Sequence, residues 1–567
     1  MELTPEQLVD EDDPIGLLEP VGPVDDEVKG KQVWRYRFPA QDFDLGRGEV
    51  YDPANKQARP DDSPFSWQVG DAAVVDAARR TVDFRRTLSQ PHPRAIVPLN
   101  WVRTRDHQAS LFELGEWIAE HGIDAIGPVR AGRELLLGVP PRVGQWFDES
   151  LYQAGETDLE AARRIAIALD HTTLAIQGPP GSGKTFAGAR MICSLLDADK
   201  RVGITGTSHK VIGNLLTAVL DAAALEGIDV RPVQRGDADQ VLDDDRVTRG
   251  KDATDVRARL DDGRANLAAG TSWLWASSKM VEAVDALFID EAGQISLANV
   301  VAMARATDNL VLLGDPQQLD QPLKGSHPPG AERSALAHVL GADATMPPAR
   351  GLFLEKTWRL HPDLCDFTSE VFYDDRLEPE GSLIGQRVSA SETIADGTGP
   401  RRLDVSTVGA DNESPVEADA VADLARSIVD GGSTWVDAKG DVRPVGWADI
   451  LIVAPYNAQV GEIRRRLPAD ARVGTVDKFQ GQEAPISIYS MTTSSPELAP
   501  RGMDFLYSRH RLNVATSRAR CISIVVASPD LFRFRARTPE QMRLANAFCR
   551  FAELARPVPG PTVAPRT

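Results

Sequence analysis

Short apolar runs separated by polar or glycine-bearing loops dominate the middle of the chain. Residues 173–176, 202–205, 286–289, 310–313, 450–453 and 522–526 each read as a buried strand. Between them lie stretches with apolar residues at helical spacing, clearest at 186–196, which follow the first run after a glycine-rich loop. This alternation predicts parallel sheets covered by helices from about residue 156 onward. Ahead of it, from about 30 to 105, the rhythm differs. Residues 32–38 alternate, and Gly, Asp and Pro clusters cut the segment into short strands, which predicts a small barrel or sheet. Helical periodicity returns at 110–118. Residues 1–29 are acidic and rich in Pro and Gly, and predict a loosely ordered lead-in. The polar stretch 383–415 predicts a looped-out segment, and the proline-rich 557–565 a disordered tail.

The glycine-rich loop carries the first candidate chemistry. Gly178, Pro179, Pro180, Gly181, Ser182, Gly183, Lys184 and Thr185 fit the phosphate-binding pattern G-x-x-x-x-G-K-[ST] at every fixed position, between a strand and a helix that begins near Phe186. Glycines let backbone N–H groups close around phosphates, and the helix N-terminus adds partial positive charge. Lys184 is placed to reach the β- and γ-phosphates of a nucleotide, and the Thr185 hydroxyl to ligate Mg²⁺. About a hundred residues on, the run 286–289 ends in Asp290 and Glu291. An acidic pair at a strand end is the second half of a nucleotide hydrolase: Asp290 for Mg²⁺, Glu291 to orient and deprotonate the attacking water. The run 310–313 leads into Gly314, Asp315, Pro316, Gln317 and Gln318, at the strand edge where ligand crevices form.

Composition narrows the class. The chain has 567 residues, of which 42% are hydrophobic and 26% charged, an ordinary globular balance with room for several cores. No apolar run reaches the roughly 18–20 residues that span a bilayer, and the acidic start lacks the order of a secretory signal, which points to the cytoplasm. The four cysteines contain no Cys-x-x-Cys pair, which argues against a zinc ribbon; Cys193 and Cys365 read as buried small hydrophobes. A net charge of −20 argues against bulk coating of nucleic acid. Local basic pieces at 464–466, 509–511 and 533–537 are either a binding track or solvated helix faces.

Taken together, the segments 176–185, 290–294 and 314–319 resemble motifs I, II and III of superfamily 1 helicases, closest to the 1B branch that includes the nonsense-mediated-decay and Dna2-type helicases. Residues 356–362 with 372–377 resemble motif IV, 454–459 the next strand end, 476–483 motif V and 513–520 motif VI. The likeness covers roughly 156–530. The segment 206–216 further resembles bacterial helicases fused behind a RecB-like nuclease. The glutamine that reads adenine ahead of the phosphate loop in this family has no counterpart in 158–165, which leaves nucleotide selectivity open.

The resemblance implies an α/β fold with two RecA-like P-loop domains in tandem, at 156–350 and 351–550, and a small N-terminal β-barrel-like accessory domain with a helical stalk at 30–155. Residues 1–29 would be a flexible lead-in and 551–567 a disordered tail. It implies an ATP- and Mg²⁺-dependent helicase or translocase on single-stranded nucleic acid, DNA more than RNA, moving 5′ to 3′. A monomer is expected, with a RecB-like nuclease in cis or in trans as a possible companion. Arg359 and Arg518 would be arginine fingers from the second domain, and Gln318 would couple the γ-phosphate to motion. Trp358 is either an adenine-stacking ring or a core tryptophan. Gly481 and Glu483 would lie at the nucleotide, Glu483 on the ribose. Thr207, Ser208, His209, Thr271, Pro455, Tyr456, Asn457, Thr475, Val476 and Lys478 would line the strand track and read backbone rather than sequence.

Overall fold

The computed structural model describes residues 4–558 except 6, 11–13, 42, 44, 46–49, 54–67, 99–103, 145–149, 322–327, 329, 391–393, 480 and 534. The chain forms two compact units. One comprises residues 103–359 and 368–380, the other residues 1–102, 360–367 and 381–567.

The second of these contains the N-terminal strands β1 (Glu19–Pro23), β2 (Lys31–Arg37), β3 (Val50–Tyr51), β4 (Gln68–Asp76), β5 (Thr81–Thr87) and β6 (Val97–Pro98). They form one antiparallel sheet in the order β1-β2-β5-β4-β3-β6. The edges meet: Ile15 and Ile96 exchange backbone hydrogen bonds of 2.8 and 2.9 Å, and Leu18 N–H donates to Arg94 C=O at 2.8 Å. This closure gives the expected barrel-like form. Burial alternates along β5, and its inward Phe84 stacks on Tyr36 of β2 in the core, with ring centroids 4.7 Å apart. The expected loose lead-in is corrected by β1 and by buried Ile15 and Leu18: the Pro-rich stretch is the sheet's edge.

The phosphate-loop unit opens with α1 (Arg105–His121), α2 (Arg130–Leu137) and α3 (Asp158–Ala168). The helical stalk therefore belongs to this unit and not with the barrel. Next come β7 (Thr173–Gln177), α4 (Lys184–Asp197), β8 (Val202–Thr205), α5 (His209–Glu226), β9 (Pro232–Arg235), β10 (Thr248–Gly250), α6 (Ala253–Asp261), β11 (Leu267–Ala269), α7 (Ser272–Ala276), β12 (Val284–Ile289), α8 (Leu297–Met303), β13 (Thr307–Gly314) and β14 (Gly351–Phe353). Eight strands pair in parallel in the order β10-β9-β11-β8-β12-β13-β7-β14. β7 and β8 are buried at every position, the signature of a sheet covered on both faces.

The other unit holds a second parallel sheet. Its strands are β15 (Gly399–Asp404), β16 (Ile450–Ala454), β17 (Arg472–Thr475), β18 (Ala484–Ser490), β19 (Ala519–Ala527) and β20 (Arg556–Val558), in the order β17-β16-β18-β19-β15-β20. Helices α9 (Pro415–Asp430), α10 (Asn457–Arg464), α11 (Arg509–Ser517) and α12 (Pro539–Leu554) belong with it. Two expectations are corrected here. The polar stretch 383–415 does not simply loop out, because β15 runs beside β19. The tail expected from 551 is helix to Leu554 and strand to Val558, and only 559–567 lie outside the described residues. Cys193, Cys365 and Cys521 are buried. Among the described residues no helix is long and apolar enough to cross a membrane.

Candidate nucleotide and strand sites

β7 runs into the glycine loop, and α4 begins at Lys184. Gly181 and Gly183 sit at φ of +73° and +78°, where only glycine is unstrained. A Cβ on Gly181 would lie 2.4 Å from Arg359 Cβ and 2.8 Å from Thr357 Oγ1. The loop is strapped by the segment that closes the unit: Thr357 Oγ1 donates to Pro180 C=O at 2.8 Å, and Trp358 N–H donates to Gly181 C=O at 2.8 Å. Among the described residues, Ser182 Oγ is buried without a hydrogen-bond partner.

The acidic pair meets the loop lysine. Lys184 Nζ lies 3.2 Å from Glu291 Oε2 and 3.9 Å from Asp290 Oδ1. Burial alone would lower the Lys184 pKa, but the adjacent Glu291 and Asp290 carboxylates hold it above its ordinary value. Burial pushes the Asp290 carboxyl up to about 6, against the pull of Lys184. Glu291 adopts φ +55°, and its N–H donates to Asp290 Oδ1 at 2.9 Å. Beside them, buried Asp315 accepts hydrogen bonds from Tyr373 Oη at 2.6 Å and Gln318 Nε2 at 2.8 Å, while burial raises its pKa. The structure thus brings Lys184, Thr185, Asp290, Glu291 and Gln318 to one end of the first sheet.

Other expected nucleotide residues fall less uniformly. Arg359 belongs to the phosphate-loop unit and borders Gly181, which corrects its placement on the second domain. Arg518 belongs to the other unit, 2% exposed, with Nη1 donating to Gln482 C=O at 3.5 Å. Trp358 is 63% exposed, so it is not a core tryptophan. Phe186 is also exposed, with the Arg190 guanidinium over its ring. Glu483 is ion-paired with Arg520, and Gly481 sits at φ +75°. Tyr373, Thr357 and Gln177 received no role from the sequence. Gln177 donates to Asp315 at 3.4 Å and accepts from Met346 N–H at 2.7 Å. A polar residue directly after the apolar run Leu174-Ala175-Ile176 was the available signal for it.

The strand residues divide in the same way. Thr207 and Ser208 are exposed, and Ser208 caps α5 by accepting from Val211 N–H at 3.3 Å. His209 and Thr271 line one cavity of about 370 Å³, together with Trp273, Arg235, Asp237 and Asp252. In the other unit, Pro455 is buried and Tyr456 and Val476 are 0% exposed, so their side chains do not line a strand track, a correction. Tyr456 packs on Phe505 instead, with ring centroids 5.6 Å apart. Asn457 Nδ2 donates to Phe43 C=O of the barrel at 2.7 Å. Thr475 is half-buried, and Lys478 is exposed, its pKa lowered by burial of the ammonium and by Arg464. The basic piece 464–466 is engaged: Arg464 donates to Val473 C=O at 2.8 Å, Arg465 to Ala78 C=O at 2.9 Å and Arg466 to Asp419 at 2.5 Å. Gln480 of the motif V segment lies outside the described residues.

Comparison with known proteins fits this arrangement. Residues 332–530 match a family described as an AAA domain. The chain is 25% identical over 445 residues to the Arabidopsis thaliana DNA replication ATP-dependent helicase/nuclease JHS1, covering 74% of this chain and 31% of that protein. It is 25% identical to the Schizosaccharomyces pombe DNA polymerase alpha-associated DNA helicase A, covering 63% of this chain and 61% of that protein. It is likewise 25% identical to the Drosophila melanogaster Regulator of nonsense transcripts 1 homolog, with 66% and 35% covered. The chain therefore spans about a third to three fifths of the length of these relatives. The chain is thus similar to proteins named as helicases. A crystal structure of an Arterivirus nonstructural protein 10 helicase aligns with a TM-score of 0.39 at 13% identity, over 94% of this chain and 79% of that one.

The residues present fit a nucleoside triphosphate. The loop and the start of α4 supply a Ser182 hydroxyl with no hydrogen-bond partner among the described residues, the left-handed Gly181 and Gly183, and the Lys184 ammonium. Lys184 is paired with the carboxylates of Glu291 and Asp290.

Proposed function

We propose that the chain is an ATP- and Mg²⁺-dependent helicase that moves 5′ to 3′ on single-stranded DNA. The observation that carries the reading is Lys184 Nζ held between Glu291 and Asp290 at the mouth of the phosphate loop. Lys184 and the loop N–H groups bind the β- and γ-phosphates. Glu291 orients the attacking water and takes its proton, and Gln318 senses the γ-phosphate from its anchor on Asp315. Thr185 and Asp290 are the residues that would hold Mg²⁺, whose charge offsets that of the phosphates. Arg359 beside Gly181 stabilises the transferring phosphoryl group. By the same family resemblance, loss of Arg518 slows hydrolysis without loss of nucleotide binding. Trp358 stacks on the base, and Glu483 reaches the ribose once released from Arg520.

The test is ATP hydrolysis by the purified chain with and without single-stranded DNA, followed by unwinding of duplexes with 5′ or 3′ tails. Stimulated hydrolysis and unwinding from the 5′ tail are expected. Absence of stimulation by any strand defeats the reading. RNA as the strand is the second reading, favoured by the likeness to the Drosophila regulator of nonsense transcripts; competition between ribo- and deoxyribo-oligomers separates the two. A monomeric, cytoplasmic motor serving DNA repair, with a RecB-like nuclease in cis or in trans, completes the proposal. Sedimentation of the purified chain tests the monomer.

A further inference from the structure

The cavity beside α5 and α7 contains groups that a phosphate track does not require. Arg235, at the end of β9, has no hydrogen bond or ion pair for its guanidinium among the described residues, and the exposed Asp237 carboxylate two positions on has none either. Both line the same cavity as the His209 ring. Between them, a Cβ on Gly236 would come within 3.0 Å of His209 Cε1, so glycine is what lets the chain lie flat against that ring. Among the described residues, His209 Nδ1 is buried without a hydrogen-bond partner. Trp273 also lines the cavity, 43% exposed, with its ring edge-on to His107 at 5.3 Å and 68°.

We propose that this cavity is a nucleobase pocket that selects guanine from the bound strand. The inference rests on the strand-binding reading above and gives it a base preference that a backbone track lacks. The volume of about 370 Å³ falls within the range of small-ligand sites, roughly 300–1,000 Å³. Trp273 supplies the stacking face that unpaired bases use. The polar groups then decide which base. A phosphate would meet Arg235 but would be repelled by Asp237, and by Asp106 and Asp252, which also line the cavity. A ligand with acceptors on one edge and donors on another suits both signs. Guanine offers N7 and O6 to a guanidinium fork, and its adjacent N1–H and N2–H₂ to the two oxygens of a carboxylate. Adenine, cytosine and thymine each lack one of these paired edges.

The experiment uses the full chain and fluorescent 20-mers of deoxythymidine whose central position is dT, dG, dA, dC or deoxyinosine. Binding to the dG oligomer at least about tenfold tighter than to the dT oligomer is expected, with deoxyinosine losing most of the gain because it lacks the N2 amine. Asp237→Asn should reduce the dG-to-dT ratio to within twofold and erase the dG-to-inosine difference. Trp273→Ala should weaken all five oligomers alike. Both side chains are exposed, so the substitutions leave the core untouched. Equal affinity of the wild type for all central bases overturns the pocket, as does a guanine preference that survives Asp237→Asn. Strand-stimulated ATP hydrolysis on the dT oligomer is recorded on the same sample. Stimulation without base preference removes the pocket and leaves the motor reading, whereas no binding or stimulation by any oligomer removes both.

Discussion

Glu291 occupies the left-handed region at φ +55°, a conformation that costs a non-glycine residue roughly 1–2 kcal/mol. It is held there because its N–H is satisfied by Asp290 and its carboxylate by Lys184. Glu291→Gln keeps the shape and removes the proton acceptor. Nucleotide binding should persist, while strand-stimulated phosphate release should fall about 10²–10⁴-fold. Lys184→Ala should lose binding and hydrolysis together, read by nucleotide titration and phosphate release. Gly181→Ala is expected to weaken ATP binding strongly, because the new methyl would meet both left-handed strain and the Arg359–Thr357 strap; a titration unchanged from wild type would contradict the strap. At this scale the loop and the acidic pair were readable, because consecutive residues carry them. The Tyr373–Asp315 bond was not, since it joins residues 58 apart in sequence that only the folded sheet brings together.

Among elements, α9 carries an unusual group. Glu417 in its first turn is 0% exposed and accepts from Ser490 Oγ at 2.6 Å and Thr492 N–H at 2.7 Å. Burial pushes its carboxyl up to about 7. Below about pH 4.5 the group is protonated in both folded and unfolded chains and imposes no penalty. As pH rises toward 7 the unfolded chain releases its proton first, so stability is lost across that window. Glu417→Gln removes the charge and keeps an oxygen for the two donors. Its melting temperature should exceed that of the wild type at pH 8, with a stabilisation of about 2 kcal/mol, and converge with it near pH 4.5. A gap independent of pH would rule out the titration. The strands of both parallel sheets were legible because they are continuous apolar runs. β15 was missed because it is written with arginines: Arg401 is 3% exposed and satisfied by the carbonyls of Pro400 and Asp396, a solution that hydropathy does not signal.

Over the whole molecule, the barrel and the second sheet belong to one unit although some three hundred residues separate them in sequence. The turn between β4 and β5 rests on α10. Arg80 pairs with Glu413 at 2.5 Å and Glu462 at 3.2 Å, and a Cβ on Gly461 would come within 2.6 Å of Ala77 C=O. Arg80→Ala should loosen this seat, seen as faster proteolysis in the 77–80 turn, while strand-independent nucleotide binding stays unchanged. This association was not legible, since the sequence marks the barrel's strands but not the surface they rest on. One consequence concerns dissection of the gene. A fragment starting after residue 102 would not be a minimal engine. It would strip Glu462, whose side chain is only 8% exposed, of a cationic neighbour and leave a glycine-flattened helix face bare to water. Insolubility of such a fragment would report an amputated surface, and not a missing activity.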